Sequence, residues 1–157
     1  MENMNIDEIL NKLPCNVRES ARKILEQKKE EKLLRDKVHK HVCNLIEPVN
    51  INEIEKILNE LDKTTWTNIV EERAISLLCG LPTCSNSIDE PKKQKYIIDF
   101  EDMTIHENDS EKLKFCSKDC WKSSNYLKSQ LFDQPLWLRS TKLVKKFNLS
   151  GLSKQNL

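Results

Sequence analysis

The amino-terminal half of the chain carries apolar residues at helical spacing, separated by polar stretches and few glycines or prolines. "IDEILNKL" predicts a short helix stopped by Pro14. Asn16 and Glu19 form a capping pattern ahead of Val17, Ala21, Ile24 and Leu25, where a second helix is expected to begin. Its continuation "EQKKEEK" is polar on every face and reads as solvated surface. Leu33, Leu34, Val38, Val42 and Leu45 then restore the apolar spacing before Pro48, giving one long helix with a solvated middle or two helices. Asn50 and Glu53 repeat the capping pattern ahead of Ile51, Ile54, Ile57, Leu58 and Leu61. "TTWTNIVEERAISLL" predicts a further helix with Trp66, Ile69, Val70 and Leu77 on one face.

After "CGLPTC" the pattern changes. "KQKYIIDFEDMTIHE" places Tyr96, Ile97, Ile98, Phe100 and Ile105 between polar residues and predicts a hairpin or two short strands. A helix is expected inside "CSKDCWKSSNYLKSQLF", with Ser117 as its cap and Asp119 in the first turn, ending near "DQP". From Arg139 onward no acidic residue occurs, while Arg139, Lys142, Lys145, Lys146 and Lys154 are basic. The chain therefore divides into one helical, metal-binding domain over 1–140 and a basic tail over 141–157, which reads as solvated.

Composition narrows the setting. The chain has 157 residues, 32% charged and 38% hydrophobic, with a net charge of +1, so bulk charge implies no attraction to nucleic acid. Its start, "MENMNIDEIL", is polar and acidic, and no apolar run approaches the roughly 18 residues of a membrane span. A cytosolic or nuclear protein is expected, and in that reducing setting six cysteines point to metal or redox chemistry rather than disulfides.

Cys79 and Cys84 are separated by four residues, Cys116 and Cys120 by three, with 31 between the pairs. Two such pairs flanking a β segment match the ligand spacing of one structural zinc ion. Gly80 and Pro82 suit a tight turn that brings backbone amides to thiolate sulfur, and the start of a helix favours thiolate at the second pair. Cys15 and Cys43 have no partners at such spacing and read as packing residues. His39, His41 and His106 read as solvated or packed histidines. The fold class expected from the residues is mainly α, helices that pack on each other with a short β hairpin between the cysteine pairs.

"VEERAISLLCGLPTC", "FCSKDCWKSSNYLKSQL" and "PLWLR" together resemble the zinc-binding family of the yeast regulator of transcription and the animal RNA polymerase II-associated protein, over roughly residues 60 to 140. The resemblance implies association with RNA polymerase II and an atypical phosphatase activity on the heptad repeats of its carboxy-terminal domain, at the serine in the fifth position. It also implies a helical bundle with a zinc-bound insert, movement between nucleus and cytoplasm, and Cys79, Cys84, Cys116 and Cys120 as zinc ligands, the last being histidine in some members. This chain departs from the pattern in having Leu81 where the family usually has tyrosine after the glycine. Ile105 or His106 stands where many members have a tyrosine before the second pair.

The residues carry no familiar phosphatase engine. A cysteine phosphatase needs arginine six positions after its nucleophile, and the six cysteines are followed there by Ala21, Val49, Ser85, Glu90, Lys122 and Tyr126. No two aspartates stand two apart, and three scattered histidines do not make a two-metal hydrolase. What is left as candidate catalytic residues is Glu72 and Arg73. At about 100° per residue Arg73 falls within the apolar stripe of its helix, where a charge must be paired. It either holds a phosphate with Glu72 as general base for water, or forms an internal ion pair with Glu72 or another carboxylate. The competing reading of the whole chain is a polymerase-binding assembly or import factor without catalysis. Direct nucleic-acid binding is disfavoured by Asp99, Glu101, Asp102, Glu107 and Asp109 between the cysteine pairs.

Overall fold

A computed structural model describes residues 5–90, 95–107, 111–140, 144–150 and 152. Among these residues five α-helices run in order, α1 (Ile6–Asn11), α2 (Cys15–Ile46), α3 (Ile51–Ile57), α4 (Lys63–Ile75) and α5 (Lys118–Gln130). A two-stranded antiparallel hairpin, β1 (Tyr96–Asp99) and β2 (Thr104–Glu107), lies between α4 and α5. The mainly α architecture with a small β insert is the one the hydrophobic pattern predicts.

The stretch after Pro14 is one helix, α2, of 32 residues, about 48 Å long at 1.5 Å per residue. Pro14 itself occupies the N-cap and its carbonyl accepts from the Val17 amide, so Asn16 sits inside the first turn rather than capping it. Proline is suited to that boundary because it has no amide to satisfy. Only Val38 and Leu45 of α2 are buried. Arg35, just past the polar stretch, lies 4.8 Å over the ring of Trp137, in the 3-10 turn Leu136–Leu138.

Asn50 caps α3 as its spacing predicts, its side chain accepting from the Glu53 amide at 2.9 Å. The cap of α4 is Asp62. One of its carboxylate oxygens accepts from the amides of Thr64 and Thr65, and the other from the Thr65 hydroxyl. The "DKTT" that precedes the apolar run carries that signal in the sequence. Trp66, Ile69 and Val70 of α4 share one buried core with Leu45, Ile54, Leu58, Leu61, Leu127 and Leu131. The indole N–H of Trp66 donates to the Ser124 hydroxyl at 3.0 Å, which joins α4 to α5. Cys79, Cys84 and Cys120 belong to this same core.

Beyond residue 140 the body continues. Leu152 is 2% exposed, and Phe147 and Leu149 pack beside it on the core. Asn59 and Gln130 each grip the main chain of this segment through both ends of a side-chain amide, Asn59 at Lys145 and Gln130 at Asn148. Residues 144–150 thus lie along the bundle as a strap, because these amides replace the water that a free tail would bind. Lys142, Lys154 and Asp109 lie outside the described residues.

Candidate metal centre

The route to the first cysteine pair begins with the end of α4. Leu77, placed by its spacing on the apolar stripe, instead takes a left-handed conformation (φ 59°) and is partly exposed. The Leu77 amide returns to the Ala74 carbonyl and the Leu78 amide to the Arg73 carbonyl. This is a Schellman ending, with leucine in a position normally taken by glycine. It turns the chain sharply, and Leu78 forms a bridge with Ser87. The Cys79 amide donates to Asn86 and the Cys84 amide to Leu81, closing "CGLPTC" into a compact loop.

Gly80 serves close approach rather than a left-handed turn. A Cβ there would stand 2.8 Å from Val70 Cγ1, 2.9 Å from Phe115 Cε1 and 3.1 Å from the Lys114 carbonyl oxygen. The Gly80 amide also donates to that carbonyl at 2.7 Å, stitching the first cysteine loop to the chain entering the second pair. Ser117 caps α5 and accepts from the Cys120 amide at 3.2 Å. Cys116 therefore precedes the helix, and Cys120 lies in its first turn.

The four sulfurs lie within 4.8 Å of one another. Cys116 Sγ stands 3.6 Å from Cys84 Sγ and 3.5 Å from Cys120 Sγ. A tetrahedron of thiolates around an ion with bonds of about 2.3 Å has edges of about 3.8 Å, so the donors fit such an ion with small adjustment. The Cys116 amide approaches Cys79 Sγ at 3.3 Å and the Asn86 side-chain amide approaches Cys116 Sγ at 3.5 Å, donors that thiolate favours. Burial pushes the Cys79 thiol well above its ordinary range and Cys120 up to about 11. At Cys116 burial acts the same way but is outweighed by Asn86 and the neighbouring thiols, which lower it to about 7. Four sulfur donors in this geometry can hold a tetrahedral borderline or soft metal ion. His41 meets Glu60, His39 meets Cys43 and His106 meets Thr104, so no histidine joins the cluster. Cys15 and Cys43, expected as packing residues, are exposed on α2.

The structure separates the two candidate catalytic residues. Glu72 is exposed on α4. The Arg73 side chain is fully buried and engaged by main-chain carbonyls: Nε donates to Cys79 (2.7 Å), Nη1 to Leu45 (3.0 Å) and Ile46 (2.7 Å), and Nη2 to Cys84 (2.6 Å). Helical spacing placed this arginine inside the core, but its acceptors come from α2 and from the loop ahead, beyond the reach of a periodicity argument. Leu81 is fully buried, so an apolar side chain fills the place where tyrosine was expected.

The fold and the thiol cluster define a helical-bundle protein with a four-cysteine insert able to hold a metal ion. The sequence profile of the Rtr1/RPAP2 family matches residues 59–132. The chain belongs to that family. A Drosophila melanogaster protein, an RPAP2 homologue named as a candidate RNA polymerase II subunit B1 CTD phosphatase, is 38% identical over 114 residues, 72% of this chain and 79% of that one. The Rattus norvegicus RNA polymerase II subunit B1 CTD phosphatase Rpap2 is 33% identical over 84 residues, 54% of this chain but only 14% of that protein. The crystal structure of the transcription regulator protein Rtr1 from Kluyveromyces lactis shares the fold with a TM-score of 0.54 at 22% identity, covering 74% of this chain and 81% of that one.

Proposed function

We propose that the chain is an RNA polymerase II-associated protein organised around one structural zinc ion. In this reading it acts as a phosphatase on the phosphorylated heptad repeats of the polymerase's carboxy-terminal domain, at the serine in the fifth position. The observation that carries the reading is that the family match over residues 59–132 spans all four clustered cysteines together with Glu72 and Arg73. The activity for which the rat relative is named supports the substrate class. Zinc held by four thiolates offers no open position, so it would fix the loop and the start of α5 rather than activate water.

Hydrolysis then falls to side chains. Glu72 is accessible and able to take a proton from attacking water. Arg73 supports the site from inside and does not meet the phosphate, because its donors face carbonyls. The test is phosphate release from a heptad peptide phosphorylated at the fifth-position serine by the zinc-loaded chain, beside Glu72→Gln. Release by the wild type and loss in the variant are expected; equal release in both would exclude Glu72 as the base.

That same engagement of Arg73 favours a second reading, a polymerase-binding assembly or import factor without turnover. Binding to purified RNA polymerase II with no phosphate release at high protein concentration would select it. Both readings put the chain in nucleus and cytoplasm, moving between them, and imaging that finds one compartment throughout would contradict this. Direct nucleic-acid binding is not part of the proposal, since the hairpin carries Asp99, Glu101, Asp102 and Glu107. No membrane contact is proposed either: among the described residues no helix is long and apolar enough to cross a bilayer.

A further inference from the structure

Arg73 presents a physical problem that its hydrogen bonds alone do not solve. Its side chain is 0% exposed, and among the described residues no carboxylate lies within ion-pair distance of it. A cation surrounded only by neutral carbonyls in a core carries a large desolvation cost. Two of its acceptors, however, are the carbonyls of Cys79 and Cys84. Four thiolates on one divalent ion leave an excess charge of about −2, and three of the four cysteines, Cys79, Cys84 and Cys120, lie in the same core as Arg73 while Cys116 is exposed at its edge. The buried cation and the site of that negative charge are adjacent, joined through the Cys79 and Cys84 carbonyls.

We propose that Arg73 is the counter-cation and positioning residue of the metal–thiolate centre. One arm of its fork and its Nε hold the main chain at Cys84 and Cys79, setting the separation of the first ligand pair. The other arm binds the Leu45 and Ile46 carbonyls, which the end of α2 leaves without helical partners. Metal occupancy and the seating of α2 are thereby coupled through one planar group. A second strut, the Val49 amide donating to the Pro82 carbonyl at 3.0 Å, ties the α2–α3 connection to the same loop. Lysine could supply the charge but not the fork, because a single ammonium cannot span three segments at fixed angles. This inference rests on the zinc reading given above.

The test uses the full chain loaded with zinc and follows metal release to excess chromogenic chelator for the wild type, Arg73→Lys and Arg73→Met. Release is expected to quicken about 10- to 100-fold in Arg73→Lys, the range for losing a residue that orients metal ligands, and further in Arg73→Met. Far-UV circular dichroism should show helix retained in Arg73→Lys, and its cobalt-loaded form should have shifted thiolate charge-transfer bands. Ser124→Ala, which removes the Trp66 partner away from the clamp, should lower Tm and leave the release rate unchanged. Wild-type release rates in both folded arginine variants would overturn the inference.

Should neither variant fold, hydrogen exchange on the wild-type chain decides. Stripping zinc should speed exchange at the Val49 amide more than at the Trp66 amide within α4, and equal protection at Val49 with and without zinc overturns the coupling. A wild-type chain that holds no metal overturns the zinc reading and this inference with it, whereas a zinc-bearing wild type with unchanged variants removes the inference alone.

Discussion

Single atoms decide two outcomes at the scale of the residue. At Gly80 a methyl group would have to displace Val70, Phe115 and the Lys114 carbonyl together, and two of these belong to the core. Gly80→Ala should cost about 1 to 3 kcal/mol, the usual range for forced overpacking, and show as a lower denaturant midpoint. At Glu60, burial raises the carboxyl but is outweighed by hydrogen bonds from Lys37 and His41, so its pKa lies below the ordinary value. The stabilisation it gives is present above its unfolded pKa and lost as pH falls through the folded one. Melting temperatures recorded from neutral into acid should fall less steeply for Glu60→Gln than for the wild type. Sequence reasoning identified the glycine as significant but for a turn, since only the folded core reveals what stands next to its α-carbon.

Among the elements, α4 links the bundle to the metal loop, and its two ends are built differently. Asp62 holds the first turn with both oxygens while being 1% exposed, so its removal also leaves the Thr65 hydroxyl without that acceptor. Asp62→Ala should destabilise by about 1 to 2 kcal/mol in chemical denaturation, and Asp62→Asn by less because it keeps acceptors for the amides. The carboxyl end of α4 relies on Leu77 in a conformation unfavourable to leucine, which helical spacing had continued as regular helix. Helix periods report which face is apolar; they do not report where tertiary contacts make a sharp exit worth its strain. The cap of α3 at Asn50 and the cap of α5 at Ser117 were legible because each bond reaches only three residues along the chain.

For the whole molecule the decisive feature is that three of the four clustered thiols, Cys79, Cys84 and Cys120, are part of the main core rather than a separate knob. Metal removal should therefore lower one cooperative transition instead of melting the insert alone. Structural zinc contributes about 10 to 16 kcal/mol apparent in finger peptides, so chelation should depress Tm markedly if the ion is zinc. Elemental analysis of the purified chain should find one zinc per chain, and a chain with intact fold and far less metal would refute the assignment. The amphipathic spacing, the two cysteine pairs and the change to a two-residue period between them determined the fold class and the composition of the metal centre. These signals are local or depend on residue type, so they survive in one dimension. Only the tertiary structure decided the role of Arg73, the strap over the bundle and the close packing at Gly80. Each depends on carbonyls and side chains brought together from distant parts of the chain, and no periodicity records which main-chain groups a fold leaves unsatisfied.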